Sequence, residues 1–218
     1  MKWLPPAEYQ RLVQNSRQLE ADAFGPKVLL TGEGLVVKIF RRKHLLSREL
    51  LSPAAWRFAR HARRLQRRGI ASLQVERLAR CRRPACSLAW YVWLDGEPLR
   101  QHCRRPDTDQ TALLQRLGTF VALLHQRGVL FRSLHWGNIL VQPAGDFALI
   151  DVLDLRLQRR PLSLRQRRRN FLHLLRYAQD AQLFQSQAEA FWRGYAMITE
   201  LSAVALQALR QTPIISRK

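Results

Sequence analysis

Residues 131–151 have the sequence FRSLHWGNILVQPAGDFALID, and this stretch decides the fold of the chain around it. Alternating apolar residues predict two short strands, at 139–142 and 147–150, joined by a turn at the segment PAGD. Such a hairpin would bring Asn138 close to Asp151. An amide oxygen beside a carboxylate suits Mg²⁺, a hard cation that prefers oxygen ligands and often also binds substrate phosphates. The sequence therefore predicts a metal site at this pair.

The loop FRSLHWGNIL at 131–140 resembles the catalytic loop of the protein-kinase-like superfamily, in the HxDxHxxN form of aminoglycoside phosphotransferases and lipopolysaccharide core kinases. The tripeptide LID that ends at Asp151 resembles the strand leading to that superfamily's metal-binding Asp. Ser133 stands where the family has its catalytic Asp, and Phe131 where it usually has His. The resemblance therefore implies nucleotide and metal binding more strongly than turnover.

The catalytic candidates in this reading are Ser133, His135 and Asp154. Phosphoryl transfer depends mainly on positioning and charge neutralisation, and a general base typically contributes on the order of 10²- to 10⁴-fold. Loss of the catalytic Asp would therefore slow transfer without necessarily abolishing it, with His135 or Asp154 taking the proton instead. For His135, a hydrogen bond to the local backbone is the alternative role.

The charge balance points to anionic partners. Among 218 residues, 37 are Lys or Arg and only 16 are Asp or Glu, which gives a formal net charge of +21. Such a field favours nucleic acid, acidic phospholipid surfaces or phosphorylated glycolipids without choosing among them. Arginine enrichment through a high-GC coding bias is the alternative explanation.

Other compositional features predict a cytoplasmic protein. No secretory pattern is visible, and no apolar run approaches the roughly 18 residues that span a bilayer. The cysteines Cys81, Cys86 and Cys103 are odd in number, which fits a reducing compartment. With His102 they could form a zinc site, although their spacing is irregular.

The first forty residues predict a helix followed by a hairpin. Residues 4–22 have apolar residues at helical spacing and predict a short amphipathic helix. Residues 27–30 and 35–40 predict two strands. By resemblance Lys38 is the strand lysine that reaches the nucleotide phosphates, the alternative being a water-facing lysine. The expected glycine-rich loop is poorly matched, since residues 23–27 contain one glycine.

Residues 53–68 predict a helix whose apolar stripe includes Trp56 and Phe58, with a stop at Gly69. The family's equivalent helix supplies a Glu that pairs with the strand lysine, and this segment has no acidic residue. Glu49 is the nearest substitute, and a solvated surface acid is the alternative role.

Two further strands are predicted at 73–79 and 87–94. The segment LDGEPL at 94–99 then resembles the hinge between kinase lobes, where backbone groups receive an adenine. Asp95 and Glu97 are the cofactor-binding candidates within it.

The C-terminal half is predicted to be helical. Residues 111–127 give the clearest helix, with the apolar positions at helical spacing. His125 near its end is expected to lie on the surface, compatible with the helix dipole. Further helices are expected at 170–180, 186–195 and 201–210.

Arginines follow the candidate metal site. Arg156, Arg159 and Arg160 are candidates for acceptor binding, because guanidinium groups hold phosphate or carboxylate in a forked geometry. A solvated or membrane-facing basic surface is the alternative.

Taken together, these features predict an α+β, two-lobed protein-kinase-like fold. The expected parts are an N-terminal helix at 1–23, a lobe with a small antiparallel sheet and one helix at 24–98, and a helical lobe at 99–218. The resemblance is strongest to bacterial lipopolysaccharide core kinases and their toluene tolerance and InaA-like relatives, over roughly residues 24–180.

The resemblance implies ATP-dependent phosphorylation of a sugar hydroxyl in the lipopolysaccharide core, with ATP and Mg²⁺ as cofactors. The enzyme would act in the cytoplasm or at the inner face of the cytoplasmic membrane, in contact with an anionic glycolipid and an acidic membrane surface. A pseudokinase that binds or scaffolds without transfer is the leading alternative. A third hypothesis, a nucleic-acid-binding protein, is supported by the charge alone, because the sequence has no helix-turn-helix, zinc-finger or RNP-like signature.

Overall fold

The structure is a computed structural model that describes residues 1–41 and 52–211. It divides into two compact units, Met1–Leu94 and Asp95–Lys218. The expected pairing of Glu49 with the strand lysine falls outside the described residues.

The N-terminal unit is built on an antiparallel sheet with one parallel edge pair. Its elements are β1 (Lys2–Trp3), α1 (Pro6–Gln14), β2 (Arg17–Asp22), β3 (Gly25–Leu30), β4 (Leu35–Arg41), α2 (Ala54–Gln66), β5 (Ala71–Ser72), β6 (Val75–Cys81) and β7 (Cys86–Val92). The main sheet has the strand order β1-β6-β7-β4-β3-β2, and only β1 and β6 run parallel. The predicted hairpin of β3 and β4 is therefore confirmed, and β4 lies inside the sheet.

Both faces of this sheet are covered. On one face, Tyr9 of α1 packs with Leu29, Val37 and Trp90 in the buried core. On the other face, Phe58 of α2 is fully buried against the aromatic rings of β4 and β7. Successive residues of a strand point to opposite faces, so β4 contributes to both layers.

Two expectations about this unit differ from the structure. The predicted helix at 4–22 ends at Gln14, because Arg17–Asp22 pairs with β3 as an exposed edge strand. Trp56, expected within the apolar stripe of α2, is 42% exposed and lies under the guanidinium of Arg60 instead. The first difference is one of secondary structure, and the second is one of burial.

The C-terminal unit is mainly helical and carries short strand pairs. Its elements are β8 (Glu97–Pro98), α3 (Leu99–His102), α4 (Gln110–Gln126), β9 (Val129–Phe131), a 3₁₀ turn (Trp136–Asn138), β10 (Ile139–Val141), β11 (Phe147–Leu149), a second 3₁₀ turn (Val152–Asp154), β12 (Leu155–Leu157), α5 (Leu164–Leu174), α6 (Ala178–Ser186), α7 (Ala188–Ile198) and α8 (Ala203–Arg210). β10 pairs with β8 and with β11, and β9 pairs with β12, all antiparallel.

The centre of this unit is the packing of α4 against α7. A Cβ atom built on Gly118 would lie 1.9 Å from the carbonyl oxygen of Phe191, and one built on Gly194 would lie 1.8 Å from that of Gln115. The two helix backbones are therefore in direct contact at both glycines. This contact fixes α4, which delivers the chain into β9 and the loop that follows.

The expected kinase-like architecture is confirmed: a mixed α/β fold with an N-terminal multi-stranded sheet and a C-terminal helical region. Among the described helices, none is long and apolar enough to cross a bilayer.

Candidate functional site

The predicted hairpin is present with the expected turn. Ile139 faces Leu149 in the antiparallel register of β10 and β11, and the amide of Ile150 donates to the carbonyl of Asn138 over 3.1 Å. This backbone bond lies one residue before Asp151. The two candidate metal ligands flank the open end of the same hairpin.

The side-chain amide of Asn138 uses its nitrogen in a hydrogen bond, whereas its oxygen accepts none from the described residues. Its Nδ2 donates to the carbonyl of Ser133 over 2.9 Å, which fixes the side chain against the loop. Its Oδ1 accepts no hydrogen bond from any residue in the described part of the chain, although the residue is only 8% exposed. An amide oxygen without a protein donor, close to a carboxylate, suits a hard cation, so the donor set fits Mg²⁺.

Asp151 has a backbone conformation that costs energy. Its φ of 52° and ψ of 44° place it in the left-handed region, and it is the one non-glycine residue with positive φ in the ranges that the structure describes. Such strain costs on the order of 1 kcal/mol and persists where the surroundings impose it, often at functional sites. Asp151 is half-buried, and its backbone adopts this conformation two residues after the end of β11.

Ser133 and Asp154 are brought together by a second strand pair. β9 precedes Ser133 and β12 follows Asp154, and Phe131 faces Leu155 in their register. The amide of Arg132 donates to the carbonyl of Asp154, and Ser133 Oγ lies 3.5 Å from Asp154 Oδ2. The exposed Asp154 thus lies beside Ser133, the residue that the resemblance predicts to stand at the position of the catalytic Asp.

His135 is held between aromatic and cationic groups. Its ring packs edge-on against Tyr177 with centroids 5.3 Å apart, and its buried Nδ1 has no hydrogen-bond partner in the described structure. Burial lowers its pKa, and Arg100 and Arg176 lower that pKa further. The imidazole is therefore neutral at pH 7 and is a weak proton acceptor. The alternative role, a hydrogen bond from the imidazole to the local backbone, is not seen among the described residues, where only the His135 amide donates to the carbonyl of Ser133.

A buried polar network anchors the start of this loop. Asn170 Nδ2 donates to the carbonyl of Phe131 over 2.7 Å, and Asn170 Oδ1 lies 3.2 Å from His125 Nε2. His125 Nδ1 lies 2.8 Å from the hydroxyl of Tyr195, which also accepts a hydrogen bond from Arg167. These contacts define one protonation pattern: Nε2–H donates to Asn170, and Nδ1 accepts from Tyr195.

The expectation for His125 is therefore wrong. The residue is fully buried rather than on the surface. Burial lowers its pKa to about 3, and the Arg167 charge lowers that pKa as well. Sequence spacing did not show this, because Tyr195 and Asn170 are 70 and 45 residues away along the chain.

The network predicts an acid sensitivity that depends on His125. Its pKa is about 3 when folded and about 6.5 when unfolded, so the unfolded chain binds the proton more readily. Stability is therefore lost as the pH falls below 6.5, by about 2 kcal/mol at pH 5. We expect His125→Gln to be less stable at neutral pH but to lose less on acidification, as measured by urea unfolding at both pH values. An identical pH dependence in the two proteins would contradict this role.

A second buried pair supports the loop from the other side. Asp180 of α6 is fully buried and accepts two hydrogen bonds of 2.8 Å from Arg100 of α3. The same guanidinium lies 4.5 Å from the ring centre of Tyr177. No local pattern predicts this pair, because 80 residues separate its members along the chain.

In the N-terminal unit, Lys38 lies on the sheet face covered by α2. Its Nζ is 5.7 Å from the ring centre of Phe58 and 5.9 Å from that of Phe40. The Lys38 ammonium therefore lies near two aromatic rings, which differs from the alternative of a lysine that faces only water. α2 has no acidic residue, and the aromatic ring of Phe58 on this helix lies near the Lys38 ammonium.

The hinge-like segment is ordered by local contacts. Glu97 pairs with Arg105 at 2.8 Å and with His102 at 3.2 Å, so its carboxylate is already engaged. Asp95 is exposed. Gly96 has a φ of 148°, and a Cβ atom there would lie 2.9 Å from the carbonyl of Val141. The backbone of this segment packs closely against β10.

The three candidate acceptor residues Arg156, Arg159 and Arg160 are all exposed near the end of β12. Nothing in the described contacts assigns them a ligand.

The alternative zinc site is not formed. Cys81 and Cys86 face each other across β6 and β7, whereas Cys103 belongs to the other unit. No group of three His, Cys, Asp or Glu side chains suited to a metal occurs within residues 1–41 and 52–211. Burial raises the pKa of the Cys86 thiol to about 12, which disfavours the thiolate that zinc requires.

The fold and the hairpin site define a protein-kinase-like chain. Residues 94–195 match the model of the lipopolysaccharide kinase (Kdo/WaaP) family. This match confirms the resemblance expected from the loop and the LID segment.

Solved structures of WbdD show the same fold. A high-resolution crystal structure of WbdD is 18% identical, with a TM-score of 0.51, and the match covers 84% of this chain and 42% of that one. A complex of WbdD with the kinase inhibitor LY294002 is 17% identical, and a structure described as the bifunctional kinase-methyltransferase WbdD is 18% identical, both with a TM-score of 0.51. The chain thus spans about 42% of the length of these structures. A comparison with curated proteins gives no significant match.

Proposed function

We propose that this chain is an ATP-dependent phosphotransferase of the lipopolysaccharide kinase type that phosphorylates a sugar hydroxyl of the lipopolysaccharide core. The observation that carries the proposal is the end of the hairpin, where the available Oδ1 of Asn138 and the strained Asp151 flank one opening. The family match supports ATP use and a substrate sugar related to lipopolysaccharide.

Asn138 and Asp151 are the proposed holders of Mg²⁺. The fit rests on the oxygen of Asn138, which has no donor among the described residues, and on a carboxylate whose backbone is fixed in the left-handed region. Mg²⁺ bound there would neutralise charge on the transferred phosphate. Lys38 is the proposed phosphate contact from the N-terminal unit, as an ammonium presented by an inner strand.

Asp154 is the proposed proton acceptor. In the transfer, the sugar hydroxyl oxygen forms a bond to the γ-phosphorus, the bond from that phosphorus to the bridging oxygen breaks, and ADP leaves. The hydroxyl proton passes to the Asp154 carboxylate, which is exposed and lies 3.5 Å from Ser133 Oγ. Ser133 then positions this carboxylate. His135 is the weaker candidate, since its lowered pKa makes it a poor base.

The acceptor groups and the location follow from the charge. Arg156, Arg159 and Arg160 are proposed to hold phosphate or carboxylate groups of the glycolipid, because their guanidinium groups are exposed beyond the hairpin. Lipopolysaccharide precursors are lipid-anchored, so the proposed location is the cytoplasm at the inner face of the membrane. Asp95 is also a proposed cofactor contact. Glu97 is proposed to stabilise the hinge-like segment through its ion pairs.

The second candidate function is a pseudokinase that binds nucleotide without transfer. Ser133 in place of the catalytic Asp favours it, and so does the aromatic environment of Lys38. A titration with ATP in the presence and absence of Mg²⁺ separates both kinase-like functions from a nucleic-acid-binding protein. Metal-dependent ATP binding supports the first two, and its absence with tight nucleic-acid binding supports the third.

Restoring the acidic residue tests whether Ser133 limits the rate. We expect Ser133→Asp to increase phosphate transfer to lipopolysaccharide on the order of 10- to 100-fold, since a positioned general base contributes that much or more. Ser133→Asn is the matched control, because asparagine has the size of aspartate without its charge.

Asp154 complicates this test, since a second carboxylate beside it would raise the pKa of one of the two. The double variant Ser133→Asp, Asp154→Asn removes that repulsion and is expected to be at least as active as Ser133→Asp alone. Unchanged transfer in both variants, with ATP bound, would count against a rate limit at position 133.

A further inference from the structure

The outer surface of α2 is a row of cationic and aromatic side chains. Trp56, Arg60, Arg63 and Arg67 are spaced by four, three and four residues, so they lie on one side of the helix. All four are exposed, whereas Phe58 on the opposite side is fully buried. We call these four residues the α2 outer face. At 1.5 Å per residue the row is about 16 Å long.

The positive charge of the α2 outer face is not compensated within the described chain. α2 contains no acidic residue, and none of Arg60, Arg63 and Arg67 forms an ion pair with a described residue. The neighbouring Arg64 has a lowered pKa, first through burial and then through the charges of Arg68 and Arg60. Like charges held on one helix repel one another, so an external anion would stabilise them.

Trp56 distinguishes this surface from a merely solvated basic helix. Its ring is 42% exposed at the start of the row, and the guanidinium carbon of Arg60 lies 4.7 Å from the ring centre. Tryptophan is enriched where an apolar body meets a wet, charged boundary, as in the headgroup region of a bilayer. Arginine beside it adds attraction to acidic headgroups.

We propose that the α2 outer face docks on a bilayer surface rich in acidic phospholipids, with Trp56 inserted among the headgroups and the three arginines bound to their phosphates. A straight, convex row along a helix fits a flat anionic surface. The proposal goes beyond phosphate transfer, since it requires neither nucleotide nor the hairpin site.

Vesicle sedimentation with the full chain tests this surface. We expect the protein to bind vesicles of phosphatidylcholine with one-third phosphatidylglycerol at about 0.15 M salt, and not vesicles of phosphatidylcholine alone. The triple variant Arg60→Gln, Arg63→Gln, Arg67→Gln should lower the partition coefficient on the order of 100-fold, because each basic residue near the surface contributes about fivefold. Trp56→Ala should lower it several-fold.

The matched control removes the same charge elsewhere in the unit. Arg11→Gln, Arg17→Gln, Arg83→Gln changes three other exposed arginines and should leave binding within about threefold of the wild type. Equal losses in the two triple variants, or no preference for acidic vesicles, would overturn the proposal. A third result would also overturn it: a short RNA displaces the wild-type protein from the vesicles, and the α2 triple variant no longer binds that RNA. The α2 outer face would then be a nucleic-acid site.

Discussion

Replacing Asp151 by Asn should lower the magnesium-dependent affinity for ATP by on the order of 100-fold or more. Even residues that only orient a metal ligand cost about 10- to 100-fold in metal affinity when they are changed, so a direct ligand should cost at least as much. Asparagine tolerates the left-handed backbone better than most residues. The variant therefore removes the charge while keeping the φ of 52° at this position.

Asp154→Asn is the matched control for this experiment. Asp154 follows three residues later, is exposed, and lies beside Ser133 rather than at the hairpin opening. It should retain magnesium-dependent ATP binding and lose transfer. Lys38→Ala should weaken ATP binding with and without Mg²⁺, because a phosphate contact acts without the metal. Wild-type affinity in Asp151→Asn, measured by titration calorimetry, would remove the metal role from the hairpin.

Replacing Gly118 or Gly194 by Ala should destabilise the C-terminal unit by about 3 kcal/mol or more. Alanine in a helix normally gains about 1 kcal/mol over glycine. Here the added Cβ would lie less than 2 Å from the backbone oxygen of Phe191 or Gln115, and no side-chain rotation relieves a clash with backbone. α4 and α7 must move apart, and overpacking of a closely packed contact typically costs 1–3 kcal/mol, occasionally more.

The measurement is thermal unfolding, with an expected drop in the midpoint of roughly 10 °C. Gly32→Ala is the control, because a Cβ atom there would have no neighbour within 4 Å. Its midpoint should stay close to that of the wild type. If Gly118→Ala and Gly194→Ala unfold at the wild-type temperature, α4 and α7 do not pack as the structure has them.

The hairpin could be predicted because its signal is local. Alternation at 139–142 and 147–150 with a turn between them defines both strands, and their pairing then places Asn138 and Asp151 at one end. The strand β4 was predictable for the same reason, since it is rich in β-branched residues, with Val36, Val37 and Ile39 close together. The loop itself was recognised by its resemblance to a catalytic loop, and the family match over 94–195 confirms that resemblance.

The errors occurred where burial depends on distant residues or where a strand is exposed on both faces. Arg17–Asp22 has no apolar alternation, because as an edge strand it buries neither face. His125 is buried by Tyr195 and Asn170, which no local pattern connects to it. Trp56 has the hydrophobicity of a core residue, yet Arg60 covers its ring at the surface.

The proposed roles differ in how directly the structure supports them. Asn138 and Asp151 flank one strand pair, and Ser133 and Asp154 flank another. The side chain of Asn138 donates to the carbonyl of Ser133, and Asn170 connects the start of their loop to the buried network. The acceptor-binding role of Arg156, Arg159 and Arg160 is supported only by their exposure and positive charge. The metal and proton-transfer roles are therefore the ones to test first.

The most direct test of phosphate transfer is incubation of the wild-type protein with γ-labelled ATP, Mg²⁺ and purified lipopolysaccharide. The proposed function predicts label in the core sugars, absent without Mg²⁺ and absent with Asp151→Asn. Metal-dependent ATP binding without any label in lipopolysaccharide, even after Ser133→Asp, would contradict the kinase and leave a nucleotide-binding pseudokinase.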